Sequence, residues 1–393
     1  MAELRFSKQE DTLTICLEGH ISSANAPDIE AAVLQILKEN PAGSLVLDCE
    51  KLEYISSAGL RVLLRLKKSI PDMTLIQVSP DVYEIFEMTG FCEILTVRKG
   101  YRMVSLDGCP VIGKGANGEV RRLNPEIVVK MYRDADALPE IRRERELART
   151  AFVLGIPTAI PYDIVRIQGG GYGSVFELLN AESLADVLIR QEKSVEEIAR
   201  ISIQLLKLIH STLPKEGTVP AILPQILKRI RVLESWLPEE SYQKLLRLLT
   251  DLPEDPHMLH GDFHLKNIML QEEEALLIDM DSLCHGQPVF ELAAMYNSSR
   301  GFPDLEHRFI KTFLGLPYQT SCDFWNRSLS LYLETEDQER IREVEEKAKI
   351  IGIARIMSRS VRKGEGSEES RRIIEECRQL LIPLLHRTDS LLF

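Results

Sequence analysis

Apolar and polar residues alternate through residues 12–18 (TLTICLE), the period of a strand with one buried face. Residues 26–37 (APDIEAAVLQIL) change to helical spacing, with Pro27 in the first turn, where a missing N–H is harmless. An apolar run at 44–48 (SLVLD) predicts a buried strand, 58–68 (AGLRVLLRLKK) a helix, 73–78 a strand, and 82–89 (VYEIFEMT) a helix stopped by Gly90. This alternation predicts one open α/β domain. After the turn at Gly108-Cys109-Pro110 the pattern changes. Strand-like segments fill 110–180, and helical periodicity follows at 196–213, 222–237, 239–250, 291–298, 304–314 and 337–386, with 363–370 (KGEGSEES) as an exposed loop. Strands and then helices predict an α+β domain. The expected divisions are residues 1–106, a strand-rich lobe at 107–180 and a helical lobe at 181–393.

A chain of 393 residues has room for these parts. Its 44% hydrophobic and 27% charged residues are globular proportions. With 60 acidic against 48 basic residues the net charge is −12, a poor match to nucleic acid or anionic lipid. No apolar run approaches the ~18–20 residues that span a bilayer, and residues 1–14 lack the basic-then-apolar profile of a secretory signal. The seven cysteines are scattered, with no CxxC pair, which predicts reduced thiols and a cytoplasmic protein.

Within the first part, the strand ending at Asp48 is followed by Tyr54-Ile55-Ser56-Ser57-Ala58-Gly59-Leu60, a small-residue turn opening a helix near Ser57. A hydroxyl there can cap free backbone N–H groups, and a phosphate would be stabilised by the same groups and the helix dipole. Together with Leu17-Glu18-Gly19-His20-Ile21, residues 26–33 and Glu87-Met88-Thr89-Gly90-Phe91, this stretch resembles the STAS domain of bacterial anti-sigma factor antagonists across residues 3–105. The resemblance implies that Ser57 is a phosphorylation position controlling an anti-sigma-type or other regulatory partner. Ser56 stands where the family frequently has Asp, and Ala58 replaces its second hydroxyl residue.

In the second part, Gly113, Gly115 and Gly118 form GxGxxGxV between two strand-like segments, a hairpin able to cover nucleotide phosphates. A dinucleotide fold would need a helix immediately after these glycines, and residues 120–125 (VRRLNP) are not one. Lys130 ends a β-branched strand and suits a phosphate ligand, with Glu144 or Glu146 on the following helix as its partner. Next comes His260-Gly261-Asp262-Phe263-His264-Leu265-Lys266-Asn267, then Leu276-Leu277-Ile278-Asp279. Asp262 is placed to take a proton from an attacking hydroxyl, and Asn267 and Asp279 to ligate Mg²⁺ bridging the phosphates. A zinc reading of His257, His260 and His264 conflicts with Gly261 and Asp262, which interrupt any helix there.

The HGDxHxxN set resembles the aminoglycoside phosphotransferase-like family of the protein-kinase-like fold, over residues 108–310. That resemblance implies a two-lobed α+β domain. Phe176-Glu177-Leu178-Leu179 would be the hinge where Glu177 and Leu179 hold adenine, and Glu291 occupies a position where the family often has Asp. The expected protein is a Mg-ATP-dependent phosphotransferase acting on a hydroxyl acceptor, a small molecule in preference, coupled to a STAS regulatory domain. Two other readings stay open: an antagonist-type signalling protein whose kinase-like part senses nucleotide, and a protein kinase acting on Ser57.

Overall fold

The computed structural model describes residues 4–114, 118–132, 134, 137–305, 311–363 and 368–393. The chain divides into two compact units, residues 1–107 with 164–173, and residues 108–163 with 174–393. The seven cysteines are all free thiols.

The first unit is a five-stranded sheet in the order β1 (Phe6–Gln9), β2 (Thr12–Ile21), β3 (Ser44–Ile55), β4 (Met73–Val78), β5 (Thr96–Lys99). β1 and β2 form an antiparallel hairpin; the β2–β3, β3–β4 and β4–β5 pairs are parallel. Helices α1 (Ala26–Glu39), α2 (Ser57–Ser69) and α3 (Pro80–Met88) make the crossovers, and α4 (Phe91–Ile94) precedes β5. Leu13, Ile15 and Leu17 of β2 join Leu45, Leu47 and Cys49 of β3 in the core, as the alternating pattern requires. Gly59 lets α2 approach closely: a Cβ there would lie 2.6 Å from Ile21 and 2.7 Å from Ile55. The short edge strands β1 and β5 carry too little alternation to stand out in the sequence. β6 (Arg102–Val104) pairs in parallel with Val165, Arg166 and Ile167, which is why 164–173 groups with this unit.

In the second unit, β7 (Val111–Lys114), β8 (Gly118–Arg122) and β9 (Ile127–Tyr132) form an antiparallel ladder, with β11 (Tyr172–Glu177) on the far side of β9 after β10 (Pro161–Ile167). Helix α5 (Leu138–Val153) follows β9. The helical portion contains α6 (Leu184–Ile189), α7 (Val195–His210), α8 (Ile222–Ile230), α9 (Glu239–Thr250) and α10 (Val289–Tyr296). It ends with α11 (Phe302–Leu305), α12 (Tyr318–Leu333), α13 (Gln338–Lys363) and α14 (Glu368–Arg387). One apolar cluster runs through these helices.

Two helix expectations change. The segment expected as one helix at 222–237 is α8 followed by a 3₁₀ turn at Arg231–Ser235. The helical stretch at 337–386 is two helices, α13 and α14, parted where a loop was expected at 363–370; residues 364–367 of that loop, and 306–310 of the segment expected at 304–314, lie outside the described residues. Helix α12 was not expected. Its buried face includes Ser321, Cys322 and Ser328 beside Phe324, Trp325 and Leu329, so small polar residues interrupt the apolar stripe that marks a helix.

Candidate active site

Val128 and Val129 anchor β9 in the core, and the next residue, Lys130, carries its ammonium to two carboxylates. Lys130 Nζ lies 2.7 Å from Glu144 Oε1 and 2.6 Å from Asp279 Oδ1. Helical phase decides which glutamate takes part. Ile141, Glu144, Leu147, Ala148 and Ala151 form the buried face of α5, while Glu146 is exposed and pairs with Arg145. Tyr132 on β9 also donates its hydroxyl to Glu144. Burial opposes the Lys130 charge, but Glu144 and Asp279 outweigh it and raise the lysine pKa. Burial also raises the Glu144 carboxyl, against the pull of Lys130 and Tyr132.

The segment 258–267 is held by backbone contacts to a buried carboxylate. Met258–Leu259 pairs with Cys284–His285, and the chain then turns at Gly261. Glu291 on α10, with no exposed surface, accepts from the backbone N–H groups of His260 and Gly261. His260 Nδ1 accepts from the Asp262 N–H at 3.3 Å, so Nε2 carries the proton donated to the Ile278 carbonyl at 3.1 Å. The chain requires glycine at 261: φ is +82°, and a Cβ would sit 2.3 Å from the Ser282 carbonyl oxygen. These contacts clamp the Asp262 segment to the Asp279 segment. The Asp262 carboxylate stays half-exposed, with His264 Nε2 at 3.5 Å. Burial would raise its pKa, but His264, then His260 and Arg355, outweigh that and hold it below the ordinary aspartate value.

Asn267 Nδ2 donates to the Asp262 carbonyl at 3.0 Å, which leaves Oδ1 as a free-facing acceptor, and Asn267 O accepts from the Ile278 N–H at 3.0 Å. Asp279 adopts a left-handed backbone, φ +64°, at the start of the 3₁₀ turn Met280–Ser282. Aspartate tolerates this region better than most residues, and such outliers concentrate at functional sites. Asp279, Asp281 and Asn267 offer oxygen donors only, which suits a hard cation such as Mg²⁺. His257 Nδ1 turns to Asp255, His260 to backbone and His264 to Asp262, so the three rings do not converge on one ion.

Gly113 and Gly118 lie on the β7–β8 hairpin, and Gly115 falls outside the described residues. Gly118 has a structural requirement of its own, since a Cβ would come within 1.7 Å of the Met131 carbonyl oxygen on β9. At the end of β11, Glu177 donates its backbone N–H to the Ile160 carbonyl, and its side chain accepts from the Ile160 N–H. Leu178 donates to the Glu126 carbonyl, and the Leu179 N–H has no partner among the described residues. In the first unit, the α2 cap is Ser56, whose hydroxyl accepts from the Gly59 N–H at 3.4 Å. Ser57 is the first helical residue and is exposed.

The profile of the phosphotransferase enzyme family matches residues 109–323, more than half of the chain and including Lys130, Glu144, Asp262, Asn267 and Asp279. The chain belongs to that family. A STAS domain profile matches residues 3–103, so this family member carries a STAS domain before its phosphotransferase domain. The STAS part is 37% identical over 99 residues to BtrV of Bordetella bronchiseptica, a candidate anti-sigma factor antagonist; the match spans 24% of this chain and 84% of that protein. The phosphotransferase part is 28% identical over 106 residues to an aminoglycoside 3'-phosphotransferase of Escherichia coli, spanning 26% of this chain but only 39% of that relative. The crystal structure of the aminoglycoside phosphotransferase APH(4)-Ia aligns with a TM-score of 0.50 at 11% identity, over 72% of this chain and 94% of that one, a likeness of fold. No helix among the described residues is long and apolar enough to cross a membrane.

Sequence reasoning missed two side chains of this family member's site, Tyr132 and Arg355. Tyr132 was hidden because its role depends on where α5 lies. Glu291, already marked by its position in the sequence, is a single acid in the apolar octet VFELAAMY. Arg355 had the same kind of signal, lying within residues 350–357 (IIGIARIM).

Proposed function

We propose that this protein transfers the γ-phosphoryl group of ATP to a hydroxyl of a small molecule, in a Mg²⁺-dependent reaction, under the influence of its STAS domain. The observation that carries the reading is Lys130 held between Glu144 and Asp279, with the half-exposed Asp262 tied to the Asp279 segment through His260. Glu144 positions Lys130 for the α/β-phosphates, and Gly113 and Gly118, on β7 and β8, would let the backbone approach them. Backbone groups of Glu177 and Leu179 would receive adenine. Asp279 and Asn267 would hold Mg²⁺, which supplies charge neutralisation at the phosphates when bound. Asp262 orients the acceptor hydroxyl and takes its proton. The hydroxyl oxygen bonds to the γ-phosphorus, and the bond to the β-phosphate oxygen breaks with its electron pair on ADP. Ser57, exposed at the start of α2, is the position at which a phosphate would alter partner binding by the STAS domain.

Purified full-length chain is incubated with Mg²⁺ and labelled ATP, with and without a small-molecule cell extract. Asp262→Asn should preserve the Mg-ATP melting shift and cut transfer by roughly 10²–10⁴-fold. Transfer at the normal rate by this variant would remove Asp262 from its assigned role. Label appearing on the chain alone, at Ser57, would favour a signalling kinase instead.

A further inference from the structure

We infer that His264 is a positioning residue of this phosphotransferase: its Nε2 holds Oδ2 of Asp262 and so keeps Oδ1 turned to the acceptor hydroxyl. The inference rests on the phosphotransferase reading above and deepens it.

The backbone around His264 is fixed on both sides. Phe263 and Leu265 are each 1% exposed, the Leu265 carbonyl accepts from the Ala185 N–H at 3.2 Å, and the His264 carbonyl accepts from the Asn267 N–H at 2.8 Å. The ring meets Phe313 in a T-shaped contact, with centroids 5.0 Å apart and an interplanar angle of 82°. Only 9% of the His264 side chain is exposed, against 53% for Asp262. The ring therefore has little freedom. Among the described residues its one ion-pair partner is Asp262, with Nε2 3.5 Å from Oδ2. That distance is long for an N–H···O bond, as contacts to a catalytic group often are before substrate binds. Asp262 Oδ1 makes no hydrogen bond among the described residues.

The other ring nitrogen argues against a packing role. His264 Nδ1 is shielded from solvent and has no hydrogen-bond partner among the described residues. Burying a polar atom unpaired costs free energy that an apolar side chain of similar size would not incur. A side chain present for packing alone gains nothing from that nitrogen. A histidine present for its Nε2 brings the unpaired Nδ1 with it, a loss of stability set against activity. With Nε2 on Oδ2, the Asp262 carboxylate loses rotation about its Cβ–Cγ bond, and Oδ1 is left to accept the proton. The acceptor oxygen bonds to the γ-phosphorus, the bond to ADP breaks, and the proton passes to Oδ1. His264 takes no proton in this step. Its contribution is orientation, because a base already in line need not be ordered at the moment of reaction.

The test compares the full-length parent with His264→Leu, His264→Gln and His264→Asn, each given Mg²⁺, labelled ATP and a small-molecule cell extract. His264→Leu removes both nitrogens. It should melt at or above the parent temperature and keep the Mg-ADP melting shift. Its transfer rate at saturating ATP should fall roughly 10- to 100-fold, with KM for ATP unchanged. His264→Gln can place an amide nitrogen where Nε2 was and should recover part of the rate. His264→Asn reaches only as far as Nδ1 and should not. For a structural histidine the rate would instead fall in step with the melting temperature, and the two amides would behave alike. Should His264→Leu melt below the parent or fail to fold, the Gln–Asn pair decides, and equal rates for those two would overturn the inference. Transfer by a folded His264→Leu at the parent rate would also overturn it and leave the phosphotransferase reading standing. No transfer by the parent, with Mg-ATP bound, would overturn the phosphotransferase reading itself and this role with it.

Discussion

Removing Lys130 should destabilise the phosphotransferase unit through the charge it leaves behind. In Lys130→Met, Glu144 keeps only the Tyr132 hydroxyl as a partner and has 3% of its side chain exposed, so its carboxylate cannot recruit water without opening α5. Asp279 has 39% of its side chain exposed and is solvated easily. Breaking a buried pair from one side costs about 3–5 kcal/mol. For a unit of this size that is a fall in melting temperature on the order of 10 °C. The deficit should depend on pH. Burial already raises the Glu144 pKa, and loss of Lys130 raises it further. An acid with a raised folded-state pKa favours folding when protonated, so its contribution is lost as pH rises through and above the ordinary glutamate value. The gap between Lys130→Met and the parent should therefore be smaller at pH 5 than at pH 8. The double variant Lys130→Met/Glu144→Met replaces both charges with apolar groups and should lie closer to the parent than the single variant does. Urea unfolding of the parent, Lys130→Met, Glu144→Met and the double variant at both pH values measures the cycle. A Lys130→Met protein within about 1 kcal/mol of the parent at pH 8, or a double variant weaker than the single by the full sum, would refute the reasoning.

Gly261→Ala should lose roughly 1–3 kcal/mol in urea unfolding, from a left-handed backbone and a Cβ against the Ser282 carbonyl, and should lower transfer by separating the Asp262 and Asp279 segments. His210 is buried against Tyr332, and burial lowers its pKa to about 3. The unfolded chain takes up that proton near pH 6.5, so stability should fall below that pH by up to roughly 1.4 kcal/mol per unit until about pH 3; His210→Phe should flatten this slope in urea unfolding at pH 7, 6 and 5. Ser56→Ala should cost the STAS domain about 0.5–2 kcal/mol through its lost cap, whereas Ser57→Asp should leave thermal unfolding nearly unchanged, because an acid in the first turn is favoured by the helix dipole.

What the sequence by itself determined is the class of each part and the chemistry it carries. Period-two and helical patterns separated an α/β domain from a strand-then-helix domain, and both are present because burial of one face imposes those periods locally. The turn 54–60 and the motif 260–267 marked the two families for a similar reason: tight turns and reacting groups tolerate few residue types, so they are written in consecutive residues. Tertiary structure decided what consecutive residues cannot encode. Glu144, and not Glu146, meets Lys130 because α5 turns the former inward. Ser56 caps α2 and leaves Ser57 outside because β3 runs on to Ile55. Helix α12 is held by packing that its serine-rich buried face does not announce. Glu291 and Arg355 lie 29 and 93 residues beyond Asp262 in the chain, and only the packing of α10 and α13 brings their charges into range of that aspartate's segment. A charge acts through distance in space, and distance in space between such residues is set by the packed core.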